Sequence, residues 1–246
     1  MFKKNFDLEE TKISIVSDIE VDFLKKFIIS KRNEIKDYIS NHYSFFNSHK
    51  SVYVESNEER DIIKIMAEAG KIANVGPMAA VAGTISQLTI EELIKNGSEF
   101  SIVNNGGDIS FINKNRKVIC GIYSGNSSIS AELGFEFKPQ KSPIGLATSS
   151  GTVGYSFSYG RGDSISVISD KASVADAIAT AIANKVVGKT DDEAVENGLN
   201  TALEFEEYIN GVLIILGESI ATFGKLPNLV NLKKEDNLKF EEDTII

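Results

Sequence analysis

The chain has 246 residues, 42% hydrophobic and 25% charged, which is enough apolar material for a sizeable core without disulfide or metal staples. Its net charge of −9 excludes the basic footprint of a general nucleic-acid binder, but not a small phosphate ligand held by backbone N–H groups or a metal. With one cysteine, Cys120, no intrachain disulfide can form, and a reducing compartment is expected. The N-terminus, Met1-Phe2-Lys3-Lys4-Asn5-Phe6-Asp7, lacks the apolar centre of a signal peptide. No stretch reaches the ~18 apolar residues needed to span a bilayer. A soluble, cytoplasmic protein with no membrane partner is therefore expected.

Thr11 to Val16 alternates polar and apolar residues and predicts a strand. Val21 to Ile39 carries apolar residues at three- and four-residue spacing and predicts an amphipathic helix, with Asp18 as N-cap. Ser51 to Glu55 predicts a short strand, and Asn57 opens a second helix. Gly76-Pro77 breaks that helix and starts another, which runs to Lys95 and stops at Asn96-Gly97. Strands are expected at Phe100–Asn104, Asp108–Ile112, Lys117–Tyr123, Leu133–Lys138, Ile144–Thr148 and Ser164–Ser169. Helices follow at Ser173–Val187 and Thr190–Ile209, then a two-strand unit around Gly217-Glu218. This order favours an α+β fold with a mixed or antiparallel sheet over a doubly wound parallel one. A single domain over residues 1–230 and a polar tail over 231–246 are expected.

Four segments could carry chemistry. Gly76-Pro77-Met78-Ala79-Ala80-Val81-Ala82-Gly83 offers a helix start without bulk, suited to an anion or to close helix packing. Asn104-Asn105-Gly106-Gly107-Asp108 is a hairpin turn flanked by amides and a carboxylate. Thr148-Ser149-Ser150-Gly151 follows a strand with a dense set of short donors and could wrap a phosphate. No Walker lysine accompanies it, and the only histidines, His42 and His49, lie far away in the sequence, which argues against a Ser-His-Asp triad. Asp176 and Thr180, four apart on a helix of tiny and aliphatic residues, share a face. They could hold a hard cation, or Asp176 could simply complement the helix dipole.

Taken in order from Gly76 to Val187, these segments resemble the ApbE-like superfamily, whose best-known members are FAD:protein FMN transferases. The Ala-Asp-Ala-x-x-Thr-Ala helix is the most specific of them. The resemblance implies a T-fold-like α+β architecture, with Mg²⁺ held by Asp176 and Thr180. It implies a flavin-nucleotide site (FAD or FMN) at Asn104, Gly106, Gly107, Asp108, Thr148, Ser149, Ser150 and Gly151. A protein acceptor or partner enzyme and a homo-oligomer packed through small-residue helices are compatible with it. The sequence departs from the transferases after Gly151. They carry a His-containing segment ending in Asp-Pro-x-Thr-Gly, whereas here Tyr155 to Asp163 has no His and no Pro. The chain is closer to a shorter branch marked by Pro-Met-Ala-Ala-Val-Ala-Gly. For that branch the alternative is a non-catalytic or accessory protein binding a small metabolite, linked to anaerobic sulfur assimilation and homocysteine formation.

Overall fold

Phe2–Leu8 (β1) and Thr11–Ser17 (β2) open the chain as a hairpin. Three helices follow: Leu24–Asn41 (α1), Tyr43–Asn47 (α2) and Asp61–Ala73 (α3). A 3-10 turn at Pro77–Ala80 leads into Val81–Lys95 (α4). Next come Phe100–Asn105 (β3), Asp108–Asn113 (β4), Val118–Gly121 (β5), Leu133–Phe137 (β6), Ile144–Ser149 (β7) and Ser164–Ser169 (β8). Ala172–Ala183 (α5) and Asp191–Leu203 (α6) precede Gly211–Leu216 (β9), Ser219–Gly224 (β10), Asn228–Asn231 (β11) and Thr244–Ile245 (β12). The computed structural model describes residues 1–122, 133–150 and 160–232, and the backbone of 244–245.

An eight-stranded antiparallel sheet, ordered β1-β2-β3-β4-β7-β8-β9-β10, forms the frame. A smaller sheet, β11-β6-β5-β12, lies against one of its faces. Alternation along each strand sorts the side chains between the two faces. Ile13, Ile15, Val103, Ala147, Val167 and Ile214 meet the helices. Ile102, Ile109, Phe111, Leu146, Ile168 and Ile215 meet the small sheet, where Phe135 and Phe137 are fully buried. The α+β expectation holds, with the large sheet antiparallel throughout.

The helix layer is tight because its residues are small. Gly83 of α4 lies so close to α5 that an added Cβ would stand 2.3 Å from the carbonyl oxygen of Ala172. At Gly145 of β7 a Cβ would stand 2.3 Å from the Ala172 Cα. The alanines of α5 are buried nearly all round, as befits a central helix.

Several local expectations change. Ser51 to Glu55 forms no strand. Asp18 does not cap α1; its carboxylate accepts from the backbone N–H groups of Glu99 and Phe100 and from the Ser98 hydroxyl. The second helix begins at Asp61, four residues past Asn57. Asp163 accepts from the backbone N–H of Gly217 and so fixes the β9–β10 turn.

Gly106 and Gly107 form the two-residue turn between β3 and β4, with φ of +68° and +109°. Both lie in the left-handed region, as a primed hairpin turn requires. No atom would obstruct a Cβ at either position, so the cost of substitution is backbone strain alone. Gly107→Ala is expected to lower stability by about 1 kcal/mol in a denaturant titration, and Gly107→Asn by less.

Candidate functional site

The helix-side face of the hairpin and the packed α4–α5 pair bring two carboxylates together. Asp108 starts β4 opposite Asn105, and both side chains lie on the helix-side face by strand alternation. Asp176 lies on α5, where it meets the beginning of α4. Its Oδ2 accepts from the backbone N–H of Gly83 at 2.8 Å, and the carboxylate also accepts from the N–H of Ala82. These are the unsatisfied donors of a helix start. The small-residue segment therefore serves close packing and carboxylate binding together.

Surrounding bonds hold this geometry. The Asn105 amide donates to the carbonyl of Ala82 at 3.3 Å. The Ser86 hydroxyl donates to the carbonyl of Asp108 at 2.7 Å. At the following residue of α4, the Gln87 side-chain oxygen accepts from both the backbone N–H and the hydroxyl of Ser173. Hairpin, α4 and α5 thus form one hydrogen-bonded unit.

The electrostatics of the pair are unfavourable as it stands. Burial pushes the Asp176 carboxyl well above the ordinary carboxylate range, and the neighbouring charge of Asp108 pushes it further. The Ala82 and Gly83 N–H groups only partly oppose this. Burial likewise raises Asp108 to about 7, against a hydrogen bond from the backbone N–H of Thr148. Among the described residues neither carboxylate has a Lys or Arg within ion-pair distance. Asp108 and Asp176 are partly exposed, and two like charges at such a partly buried site are a cost the protein can relieve by a proton or a cation.

This sets the pH dependence of stability. A carboxyl raised in the folded state contributes stability that is full below the unfolded value near 4 and is lost as pH rises through the folded value. The exposed acids Glu9, Glu10 and Asp61 and the largely covered Glu58 are all held low, so their contribution is complete above pH ~5. In a chelator-containing buffer the melting temperature is therefore expected to fall between pH 5 and pH 8. Differential scanning calorimetry across that range checks it.

The other expected residues divide between the two faces of the sheet. Ser149 shares the Ala147 face with Asp108 and is buried, as is Ser150 just beyond it. Thr148 points the opposite way, with its hydroxyl 3.3 Å from that of Ser166, though its backbone N–H reaches Asp108. The side chain of Asn104 also faces away and accepts from the Gly107 N–H at 2.9 Å. Asn104, Gly106 and Gly107 border a shallow recess with Asn5, Asp7, Lys12 and Ser14 on that outer face. Gly151 and the divergent stretch 155–159 lie outside the described residues. Thr180, one turn beyond Asp176, opens onto a large cleft beside Gly76, Met78 and Ala79.

Of the residues that orient the pair, Asn105 belongs to the turn segment that the sequence marks out, whereas nothing in the sequence singles out Ser86 or Gln87. Their only signal is polarity on a face that is otherwise apolar.

The donor set suits a hard divalent cation. Asp108 and Asp176 supply carboxylate oxygens, and Thr180 a hydroxyl one turn from Asp176 on the same helix. Two N–H bonds to Asp176 leave further lone pairs available. Among the described residues no group of three or more His, Cys, Asp or Glu converges. A bound cation would thus keep ligand oxygens or water in its shell, which is the habit of Mg²⁺.

This architecture is that of the ApbE-type α+β proteins. The fold is similar to the flavin transferase ApbE from Vibrio cholerae, with a TM-score of 0.58 and 15% identity, covering 90% of this chain and 96% of that one. It is also similar to the apo form of the flavinyl transferase ApbE from Pseudomonas stutzeri, with a TM-score of 0.56 and 11% identity, covering 90% and 94%. Residues 4–222 match the family model described as AbpE bacteria, and the chain belongs to that family. Among its relatives are a UPF0280 protein of Methanobrevibacter smithii, 42% identical over 236 residues, covering 96% of this chain and 98% of that one. A UPF0280 protein of Methanothermobacter thermautotrophicus is 45% identical over 221 residues, covering 90% and 85%. No helix of the described residues is long and apolar enough to cross a membrane.

Proposed function

We propose that this protein binds a flavin nucleotide, or a similar phosphate-bearing ligand, together with Mg²⁺. Asp108, Asp176 and Thr180 would hold the metal at the ligand's phosphates. The single observation that carries the reading is the Asp108–Asp176 pair, two carboxylates raised by burial and left without a cationic partner among the described residues. A pair built so is a poor stabiliser of the fold and a good receptor for a divalent cation.

Bound Mg²⁺ would supply charge neutralisation at phosphoryl oxygens. The chain's own part is to hold the pair rigidly, through the Ala82 and Gly83 N–H groups on Asp176 and the Thr148 N–H on Asp108. The hydroxyls of Ser149 and Ser150, at the end of β7, would donate to the phosphates. Flavin or phosphoryl transfer to an acceptor is the activity this arrangement favours, given the flavin transferases named among its structural neighbours. The single domain over 1–230 and a cytoplasmic location belong to the same proposal.

Calorimetric titration of FAD, FMN and AMP with and without Mg²⁺ tests it. Saturable binding of one of them that disappears in chelator is the expected result. Equal affinity with and without the metal would contradict the assignment of the carboxylate pair.

A further inference from the structure

The large sheet ends in two edges of different chemistry. At one edge β1 carries Lys3, Lys4 and Asp7, and Lys4 pairs with Asp22 at 2.9 Å. Charges of this kind keep an edge strand from pairing with another chain. At the other edge β10, Ser219–Gly224, carries no charge and no proline, and no strand among the described residues pairs with its outer side. Register places its unpaired backbone groups. Ile215 turns its carbonyl to the backbone N–H of Asp163, away from β10. Ile220 lies opposite Ile215, so its own N–H and C=O point outward, and alternation along the strand turns those of Thr222 outward as well. The Ile220 side chain is 47% exposed, an apolar group beside these backbone donors and acceptors.

The two ends of β10 carry opposite charge. At its start the Ser219 hydroxyl donates to Asp192 at 2.7 Å, and Glu218 precedes it in the turn. Just past its end stands Lys225, which has no acidic partner within ion-pair distance among the described residues. The strand is therefore self-complementary: run antiparallel to a copy of itself, its basic end meets an acidic one.

We infer that β10 is an interface to a second copy of this chain, the two strands pairing antiparallel about a twofold axis at Thr222 and joining the two eight-stranded sheets into one. Thr222 then faces its own counterpart, and Ile220 faces Gly224 of the partner subunit. Lys225 stands opposite the partner's Ser219, near the acidic pair of Glu218 and Asp192. The small-residue helices leave no comparable surface, because α4 and α5 pack on each other within one chain and α5 is buried nearly all round. The inference does not depend on the reading of Asp108 and Asp176 as a metal site.

The test is sedimentation velocity of the full chain from about 5 to about 300 µM, since a single strand pair makes a small and weak interface. Hydrogen–deuterium exchange of the segment 218–225 is followed at both ends of that range. Wild-type protein is expected to pass from monomer to dimer, with exchange at Ile220 and Thr222 slowing as it does. Thr222→Pro removes an outward N–H that β9 does not use, and Ile220→Lys places a charge on the edge. Both are expected to stay monomeric, with melting curves to verify that they fold. Should Thr222→Pro fail to fold, Ile220→Lys, made at a half-exposed side chain, decides the matter. Lys225→Glu is expected to weaken the dimer about tenfold or more, and added salt to weaken the wild-type dimer. A wild-type chain that stays monomeric throughout, a dimer kept by either folded edge variant, or exchange at 220–222 unaltered by association would overturn the inference.

Discussion

Replacing Asp176 by Asn is expected to raise the melting temperature of the metal-free protein at pH 8 and to abolish its response to Mg²⁺. The two effects have one cause. At pH 8 both Asp108 and Asp176 are driven toward ionisation inside a partly buried site whose desolvation opposes it. An Asn amide keeps an acceptor oxygen for the Gly83 N–H and turns an N–H donor toward the Asp108 carboxylate. Removal of a partly buried, like-charged partner is worth roughly 1–3 kcal/mol. That corresponds to about 2–10 °C for a chain of this size. The same substitution deletes a carboxylate from the cation's donor set, and Mg²⁺-dependent ligand affinity is expected to fall at least a hundredfold. A role for Asp176 confined to capping α4 predicts the opposite signs, with lower stability and an unaltered Mg²⁺ response.

Gly83→Ala is expected to be the most destabilising single methyl addition in the site. In an exposed helix the same change would stabilise by about 1 kcal/mol, because alanine has the better helix propensity. Here the new Cβ would stand 2.3 Å from the Ala172 carbonyl oxygen and 2.7 Å from the Asp176 Cβ. Backbone cannot give way cheaply, so α4 and α5 must move apart, at a cost of about 3 kcal/mol or more. Separation also withdraws the Gly83 N–H from Asp176. Urea denaturation would measure the first effect and Mg²⁺ titration of the residual folded protein the second. Wild-type stability in Gly83→Ala would contradict the close α4–α5 packing on which the site depends.

Much of the frame is legible in the sequence because burial is strongly one-sided. β9 and the alanine-rich α5 are nearly continuous apolar runs, and their lengths alone separate strand from helix, while β8 alternates serine with Ile and Val over most of its length. β1 is harder to read. It is an edge strand in which only Phe6 is buried, so Lys3, Lys4 and Asn5 give no alternation to detect. The reverse error occurs at Val52-Tyr53-Val54, which reads like a strand but pairs with no strand among the described residues; Tyr53 is 83% exposed.

The candidate site is legible in parts but not as an assembly. Gly106 and Gly107 announce a hairpin, and the structure agrees, because two adjacent glycines are the ordinary solution for positive φ at both turn positions. Asp176 and Thr180 can be placed on one helix face by spacing. Nothing local reveals that Asp176 points at the start of α4, or that Asp108 faces it from a strand 68 positions earlier in the sequence. Each carboxylate taken alone has an ordinary explanation, as a turn residue or a helix-end charge. Their like-charge juxtaposition is a tertiary fact, produced by the closeness that Gly83 allows.

The central claim is that Asp108 and Asp176 form a cation site that trades a proton for a metal. Calorimetric titration of Mg²⁺ at pH 7, repeated in two buffers of different ionisation enthalpy, counts the protons released on binding. The account predicts saturable Mg²⁺ binding with net proton release in wild-type protein, and loss of both in Asp108→Asn and in Asp176→Asn. Mg²⁺ binding of wild-type strength in the two variants, or binding by wild-type protein with no proton released, would contradict it.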